Sequence, residues 1–163
     1  EDLAAMWRQQ TVPDRPAEPV RATSQTDVVR GGCRCGACRF KVHGLLPGEL
    51  QHCYCSICRK LSGSARQTWM PARRLQWTDV SKLALVRTTN HGSRHQCTAC
   101  GSVLTIIYDA QPHTPWPAAG ALDDDVSFAK PGDILRTIHI CCDNLPPWFQ
   151  LPDDHHPRLK HAS

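Results

Sequence analysis

The sequence predicts a mainly β domain with one short helix. From Val28 onward, short runs rich in Val, Ile, Thr and Trp alternate with turn residues such as Gly31-Gly32 and Pro131-Gly132. Many short strands with such spacing are typical of an all-β sandwich or of coiled antiparallel sheets. Long helical patterns between the strands would indicate a doubly wound α/β fold, and the chain lacks them.

The predicted strands follow one another along the chain, with a single helix among them. The strands are Val28–Arg30, Cys38–Val42, Ala65–Met70, Leu75–Trp77, Leu83–Arg87, Val103–Tyr108 and Ile134–Ile140. The helix is expected to run to Leu61, because Ser56 is a suitable N-cap and Gly63 a suitable stop.

Proline marks the predicted loops and both ends of the domain. After Asp109 we expect a loop, because three prolines follow within nine residues of it and proline cannot donate to a strand ladder (Pro112, Pro115 and Pro117). Prolines also crowd residues 10–27. We therefore predict a flexible N-terminal extension over residues 1–27, a folded domain over 28–151 and a C-terminal tail over 152–163.

Composition excludes several classes of protein. The chain has 163 residues, a net charge of +4 and a mean hydropathy of −0.41. The charge is mild and spread over both signs, so we expect no nucleic-acid partner. No run approaches the roughly 18 apolar residues of a membrane span, and no secretory leader pattern is visible. These observations favour a cytoplasmic protein, while the modest apolar content predicts a core that needs covalent or metal staples.

Ten cysteines are the obvious staples. They fall into four groups, namely Cys33-Arg-Cys35-Gly-Ala-Cys38, Cys53-Tyr-Cys55-Ser-Ile-Cys58, Cys97-Thr-Ala-Cys100 and Cys141-Cys142. Disulfides are disfavoured without a secretory context. Redox chemistry at the C-x-x-C pair Cys97–Cys100 would be expected in a βαβ context, which is not predicted here. Thiolates two or three residues apart are the usual spacing of zinc ligands, so we favour zinc.

The number of ligands leaves two arrangements open. Two closed four-cysteine sites would use the eight cysteines outside the vicinal pair. Alternatively, one closed site of four leaves Cys53, Cys55 and Cys58 as an open site of three, which is how zinc meets a substrate. We expect alternate residues of a strand to point the same way, so that Cys33 and Cys35 can grip one ion. The predicted helix N-terminus beside Cys55 favours chemistry at the second group, since it stabilises thiolate.

The motifs resemble one known family. They are Gly32-Cys33-Arg-Cys35-Gly36-Ala37, His52-Cys53-Tyr-Cys55-Ser56-Ile-Cys58-Arg59-Lys60-Leu61-Ser62-Gly63 and Cys97-Thr-Ala-Cys100-Gly101-Ser102. Together they resemble the glutathione-dependent formaldehyde-activating enzymes, whose relatives include centromere protein V. The resemblance runs from about Val28 to Leu151. Cys38 and the pair Cys141–Cys142 depart from the family pattern.

The resemblance implies several coiled sheets around two zinc ions. It assigns Cys33, Cys35, Cys97 and Cys100 to a structural zinc, and Cys53, Cys55 and Cys58 to a catalytic one. It also implies a carbon–sulfur lyase that joins formaldehyde to a small thiol, glutathione, giving S-(hydroxymethyl)glutathione. Glutathione carries two carboxylates, so cations are expected beside it. Arg59, Lys60 and Ser62 are the nearest candidates in sequence for binding it.

A second function remains open at this point. A zinc-stapled module could bind a protein or nucleic acid without performing any chemistry, because function depends on the site and not on the fold. The two hypotheses differ in the second cysteine group. A site of three ligands that faces a pocket favours the enzyme, whereas closure by Cys38 or another residue favours the module.

Overall fold

The computed structural model describes residues 28–45, 49–123 and 136–161, so the predicted extension at 1–27 lies outside the described residues. Within these ranges the strands are β1 Val28–Gly32, β2 Arg39–Leu45, β3 Glu49–Cys53, β4 Gln67–Trp69, β5 Ala72–Asp79, β6 Leu83–Thr89, β7 Gly92–Cys97, β8 Val103–Tyr108, β9 Gln111–Pro117 and β10 Arg136–Ile140. The α-helix α1 is Ser56–Ser62, and 3₁₀ turns lie at Ala119–Ala121 and Cys142–Asn144.

The strands of the described ranges form three small sheets, which confirms the mainly β prediction. The first sheet has the order β1-β2-β5 and the third β6-β7-β8-β9, and both are antiparallel. The second has the order β10-β3-β4, in which β10 pairs with β3 in parallel. This sheet is therefore mixed, where the sequence predicted antiparallel pairing throughout.

The core lies between the sheets and includes several of the cysteines. Phe40 and Val42 of β2 and Leu104 and Ile106 of β8 are all 1% exposed or less. Because side chains alternate along a strand, Leu104 and Ile106 share one face of the third sheet. On the opposite face Thr105 bonds His95, with 2.8 Å between Oγ1 and Nδ1. The third sheet is thus packed on both faces.

The proline-rich stretch after Asp109 is a strand, which corrects the loop predicted there. β9 pairs antiparallel with β8 through Thr105↔Pro117 and Ile106↔Trp116. The prolines of β9 are tolerated because β9 is an edge strand of its sheet. On the open side of an edge strand, the N–H that proline lacks has no partner to bond. In contrast, the predicted strand Val103–Tyr108 is confirmed as β8.

The helix α1 is stopped by the predicted Gly63 and ends at Ser62, one residue after the predicted end at Leu61, and it begins with a different cap. Gly63 is the C-cap with φ of 65°, a left-handed conformation that glycine adopts without strain. The N-cap is Cys55 and not Ser56, which is the first helical residue. The Cys55 sulfur accepts a hydrogen bond from the Cys58 amide at 3.4 Å, so a thiol takes the capping role expected of the hydroxyl.

The chain after β10 returns to that strand. The Leu159 amide donates to the His139 carbonyl at 2.7 Å, and the His139 amide donates to the Pro157 carbonyl at 2.8 Å. These bonds hold part of the predicted tail against β10. None of the helices in the described part of the chain has the length and apolarity that crossing a membrane requires.

Candidate functional site

The seven cysteines assigned to metal come together as two separate groups. We name Cys33, Cys35, Cys97 and Cys100 the four-cysteine cluster, and Cys53, Cys55 and Cys58 the three-cysteine cluster. Within each cluster the sulfurs all lie within 4.8 Å of one another. In the described ranges, no further Cys, His, Asp or Glu joins either group.

The four-cysteine cluster joins two distant turns. Cys33 and Cys35 lie in the turn between β1 and β2, and their sulfurs are 3.5 Å apart. Cys97 ends β7, and its sulfur is 3.7 Å from that of Cys35. Cys33 and Cys35 were expected to meet as alternate residues of a strand, but β1 ends before them. The turn brings the two sulfurs together instead.

Backbone amides order the two turns of this cluster. The Cys38 amide donates to the Cys33 sulfur at 3.2 Å, and the Gly101 amide bonds the Cys97 carbonyl at 2.9 Å. Gly36 and Gly101 have φ of 82° and 74°, which turns each chain sharply after its second cysteine. The geometry is that of two short turns, and in the first of them a backbone N–H donates to a cysteine sulfur.

The three-cysteine cluster is local in sequence. Cys53 is the last residue of β3, Cys55 caps α1 and Cys58 lies in its first turn. Cys53 and Cys58 are buried, and Cys55 is half-buried. Hydrogen bonds from the Cys53 and Cys58 thiols hold the pKa of Cys55 well below its usual range. Hydrogen bonds with the Cys55 and Cys58 thiols, together with burial, raise the pKa of Cys53 above its usual range.

Two side chains from other strands reach the Cys58 sulfur. The Trp69 indole N–H of β4 and the Arg94 Nη2 of β7 each donate to it at 3.5 Å. Neither Trp69 nor Arg94 belongs to a motif that the sequence singles out. A register shift between His95 and Gln96 allows both Arg94 and Cys97 of β7 to be buried, and no sequence signal predicts that shift.

Tyr108 lies on the same face of the third sheet as Arg94. Burial, with a smaller contribution from the nearby Cys58 sulfur, raises the pKa of Tyr108 to about 12, so the phenol keeps its proton. Its ring packs against that of Trp116 at 6.4 Å between centroids. A β-carbon at Gly92 would come within 3.2 Å of the Tyr108 ring, so the glycine leaves room for the aromatic side chain.

Behind the three-cysteine cluster, a chain of hydrogen bonds fixes the backbone between its first two ligands. Arg66 donates to the Tyr54 hydroxyl at 3.3 Å, and that hydroxyl lies 2.8 Å from His139 Nδ1. His139 Nε2 is 3.0 Å from an Asp154 carboxylate oxygen. Tyr54 and His139 are fully buried. The C-terminal segment therefore supports the loop that holds Cys53 and Cys55.

The predicted substrate residues all lie on α1, beside this cluster. The Arg59 Nε donates to the Tyr54 carbonyl at 3.2 Å, so its side chain folds back on the main chain. The Ser62 hydroxyl bonds the carbonyls of Arg59 and Arg66, both at 3.3 Å. Lys60 is exposed. Of these three, Lys60 has the side chain most available to a ligand from solution.

The remaining cysteines belong to neither cluster. Cys38 is fully buried, and burial with the neighbouring Cys97 raises the pKa of its thiol to about 12. It packs beside the four-cysteine cluster and does not complete the other one. Cys141 and Cys142 follow β10, and Cys141 adopts φ of 58°. The arrangement of four and three sulfurs is thus the one that the described residues form.

Comparisons with known proteins show the family of the chain. The family model described as glutathione-dependent formaldehyde-activating enzyme matches residues 28–142. A Halomonas elongata protein whose name assigns it to the same enzymes is 30% identical over 132 residues, which are 76% of this chain and 81% of that protein. A crystal structure of a Rhodobacter sphaeroides protein matches with a TM-score of 0.50 and 22% identity, covering 63% of this chain and 91% of the other. That last likeness concerns the fold alone.

Proposed function

The chain belongs to the family of glutathione-dependent formaldehyde-activating enzymes, and on that premise we propose that it is a zinc-dependent carbon–sulfur lyase acting on a small thiol adduct. The substrate pair is glutathione and formaldehyde, and the product is S-(hydroxymethyl)glutathione. One observation carries the proposal. The three-cysteine cluster brings three sulfurs together, and the described residues add no fourth ligand.

The sulfur geometry fits zinc. Tetrahedral zinc with Zn–S bonds of about 2.3 Å places neighbouring sulfurs about 3.8 Å apart. The measured separations of 3.5 Å and 3.7 Å in the four-cysteine cluster are close to that value. Thiolate is also a ligand that selects zinc over harder cations. The four-cysteine cluster would hold a structural ion, and the three-cysteine cluster would hold the catalytic one.

Zinc bound by the three-cysteine cluster would supply a position that favours sulfur and lowers the pKa of an incoming thiol. The protein residues do the rest. Cys53, Cys55 and Cys58 fix where the substrate sulfur lies, and the packing around Tyr54 keeps them in place. In the reaction, the thiolate sulfur bonds to the formaldehyde carbon. The carbonyl π pair moves to oxygen, and that oxygen takes up the proton which the thiol released.

The cationic end of α1 would receive the carboxylates of glutathione. Lys60 is exposed in the last turn of the helix, and Arg59 lies beside it with its Nε held by the Tyr54 carbonyl. Charge-assisted bonds to carboxylate are stronger than neutral ones, so this surface suits a small acidic peptide. Ser62 orders the end of the helix through its two carbonyl contacts and thereby places Lys60.

The direct test measures the exchange between free and thiol-bound formaldehyde. Carbon-13 exchange spectroscopy on labelled formaldehyde with glutathione gives the rate at which the adduct forms and breaks. We expect acceleration by protein loaded with two zinc ions and none by the Cys58→Ala variant. Fully loaded wild-type protein that leaves the exchange rate unchanged would refute the proposed activity.

A further inference from the structure

A buried guanidinium lies against the three-cysteine cluster. Arg94 is 2% exposed, and its Nη2 donates to the Cys58 sulfur at 3.5 Å. Its Cζ lies 5.6 Å from the centre of the Trp69 ring, and its Nη1 donates to the Thr88 hydroxyl. Arginine is rarely buried to this extent without a charged partner.

The negative partner of Arg94 is sulfur. In the part of the chain that the structure describes, no carboxylate forms an ion pair with Arg94, and its Nε has no hydrogen-bond partner. Thr88 and Trp69 are neutral, so neither offsets the charge. A buried charge left without a partner is strongly destabilising, because nothing replaces the water that solvated it. The buried charge of Arg94 is therefore offset only if the cluster beside it is anionic.

Charge counting shows what the arginine changes. Three thiolates and a divalent ion carry a net charge of −1, and Arg94 brings the buried assembly to zero. An entering thiolate then makes it −1, where without the arginine it would be −2. Each additional buried negative charge is costly in a low-dielectric interior. The four-cysteine cluster has amide and hydroxyl dipoles around its sulfurs, from Cys38 and Ser102.

We propose that Arg94 is a positioning residue that acts through Cys58, and that it is the counter-cation which lets the three-cysteine cluster hold a metal ion and then accept an anionic thiolate as a further ligand. The inference rests on the proposed function, because it assigns the metal to this cluster. Donors to ligating atoms commonly change metal affinity by 10–100-fold.

Trp69 is the second donor in this arrangement. Its indole N–H bonds the same sulfur as Arg94, while its ring lies beside the guanidinium. The tryptophan therefore orients both the thiolate and its counter-ion. Replacing it by phenylalanine removes the N–H and keeps an aromatic ring beside Arg94.

The test compares Arg94→Met, Arg94→Lys and Trp69→Phe with the wild-type chain. Arg87→Met is the matched control, since Arg87 lies in the neighbouring strand β6 but is about half exposed and paired with Asp109. Zinc is titrated against a chelator to obtain the affinity of each of the two ions. Cobalt(II) is then loaded, and the thiolate-to-metal absorption bands are recorded with and without added glutathione.

We call the ion of the four-cysteine cluster the first ion and that of the three-cysteine cluster the second. We expect Arg94→Met to lower the affinity for the second ion by about 10–100-fold, to leave the affinity for the first ion unchanged, and to shift the absorption bands of cobalt bound at the second position. Arg94→Lys should recover part of the affinity because it keeps the charge, and Trp69→Phe should shift the bands in the same direction. Arg87→Met should match the wild type. Because a merely structural role would lower both affinities together, the selective loss distinguishes the two.

Two results would overturn the inference. One is an Arg94→Met protein that binds both ions with wild-type affinities and gives wild-type cobalt bands. If Arg94→Met does not fold, Trp69→Phe decides, and unchanged second-ion affinity and bands in that variant contradict the proposal. Wild-type protein that binds two ions without accelerating adduct exchange would refute the proposed activity alone and leave the role of Arg94 standing.

Discussion

The two cysteine clusters use the same ligand in opposite ways. The four-cysteine cluster joins residues 62 positions apart in the chain, and its sulfurs bond a backbone amide and a serine hydroxyl. The three-cysteine cluster spans Cys53 to Cys58, and side chains from two other strands reach into it. A long-range link stabilises the fold, whereas a local loop with a buried cation beside it is suited to chemistry. The difference predicts that the clusters fail separately when each is damaged.

The largest expected effect is loss of the four-cysteine cluster. Cys97→Ser should abolish cooperative folding, because structural zinc contributes roughly 10–16 kcal/mol, which matches or exceeds the whole stability of an ordinary domain. Circular dichroism during thermal unfolding measures it. Cys142→Ser is the control, since Cys142 belongs to neither cluster. A folded Cys97→Ser protein with a normal melting transition would contradict the structural role.

The next effect is loss of turnover without loss of the fold. Cys58→Ser should keep the unfolding transition and one bound zinc ion, while the rate of adduct exchange falls by more than about 100-fold. Mutating residues that merely hydrogen-bond to ligands already lowers metal affinity or activity by about 10–100-fold, so losing a ligand should cost more. Mass spectrometry under native conditions counts the ions. Cys38→Ala, a buried thiol outside both clusters, should keep two. Global unfolding of Cys58→Ser would remove the distinction between the clusters.

A pair of glycines sharpens the comparison at smaller magnitude. Gly101 follows the four-cysteine cluster with φ of 74°, and Gly63 ends α1 with φ of 65°. Alanine at either position should cost about 1–2 kcal/mol, since left-handed backbone disfavours a β-carbon. Only Gly101→Ala should weaken the first zinc ion, because its amide closes the Cys97 turn. Equal effects of both variants on the affinity of that ion would argue against a role specific to the Cys97 turn.

The smallest effect concerns Lys60. Lys60→Ala should raise KM for glutathione about two- to fivefold with kcat unchanged, because an exposed ion pair is worth only about 0.2–1 kcal/mol. Lys82→Ala is the matched control, an exposed lysine whose carbonyl bonds the turn of the other cluster. Steady-state kinetics compare the two variants. If Lys60→Ala and Lys82→Ala had the same KM for glutathione, Lys60 would not belong to the substrate site.

The cysteine pairs could be recognised from the sequence, because their spacing is a local property. Spacing left two groupings of the pairs open, and the roles of the groups stay a prediction. The grouping of four and three cysteines agrees with the assignment that the resemblance implied, and β8 was predicted residue for residue. The named kinship to centromere protein V stays a prediction, as does the division into domain and tail at residue 151.

The surroundings of the clusters could not be predicted, because they depend on long-range pairing. Nothing in the sequence distinguishes Arg94 from the other arginines. Its contact with Cys58 arises only when the fold brings β7 beside the three-cysteine cluster. β10 pairs in parallel with β3, which brings His139 beside Tyr54 across 85 positions of sequence. The prolines of β9 indicated a loop, since sequence alone does not reveal which strand is an edge. Local spacing indicated the cysteine pairs, and only the sheet topology shows which side chains lie against them.

The most direct test of the account is zinc X-ray absorption on protein loaded with two ions. Seven cysteine sulfurs shared by two ions predict an average of 3.5 sulfurs per zinc, rising toward four when glutathione is added. The Cys58→Ser variant, holding one ion, should show four sulfurs with and without glutathione. An average of four sulfurs per zinc in the wild-type protein before any thiol is added would contradict the open three-cysteine site.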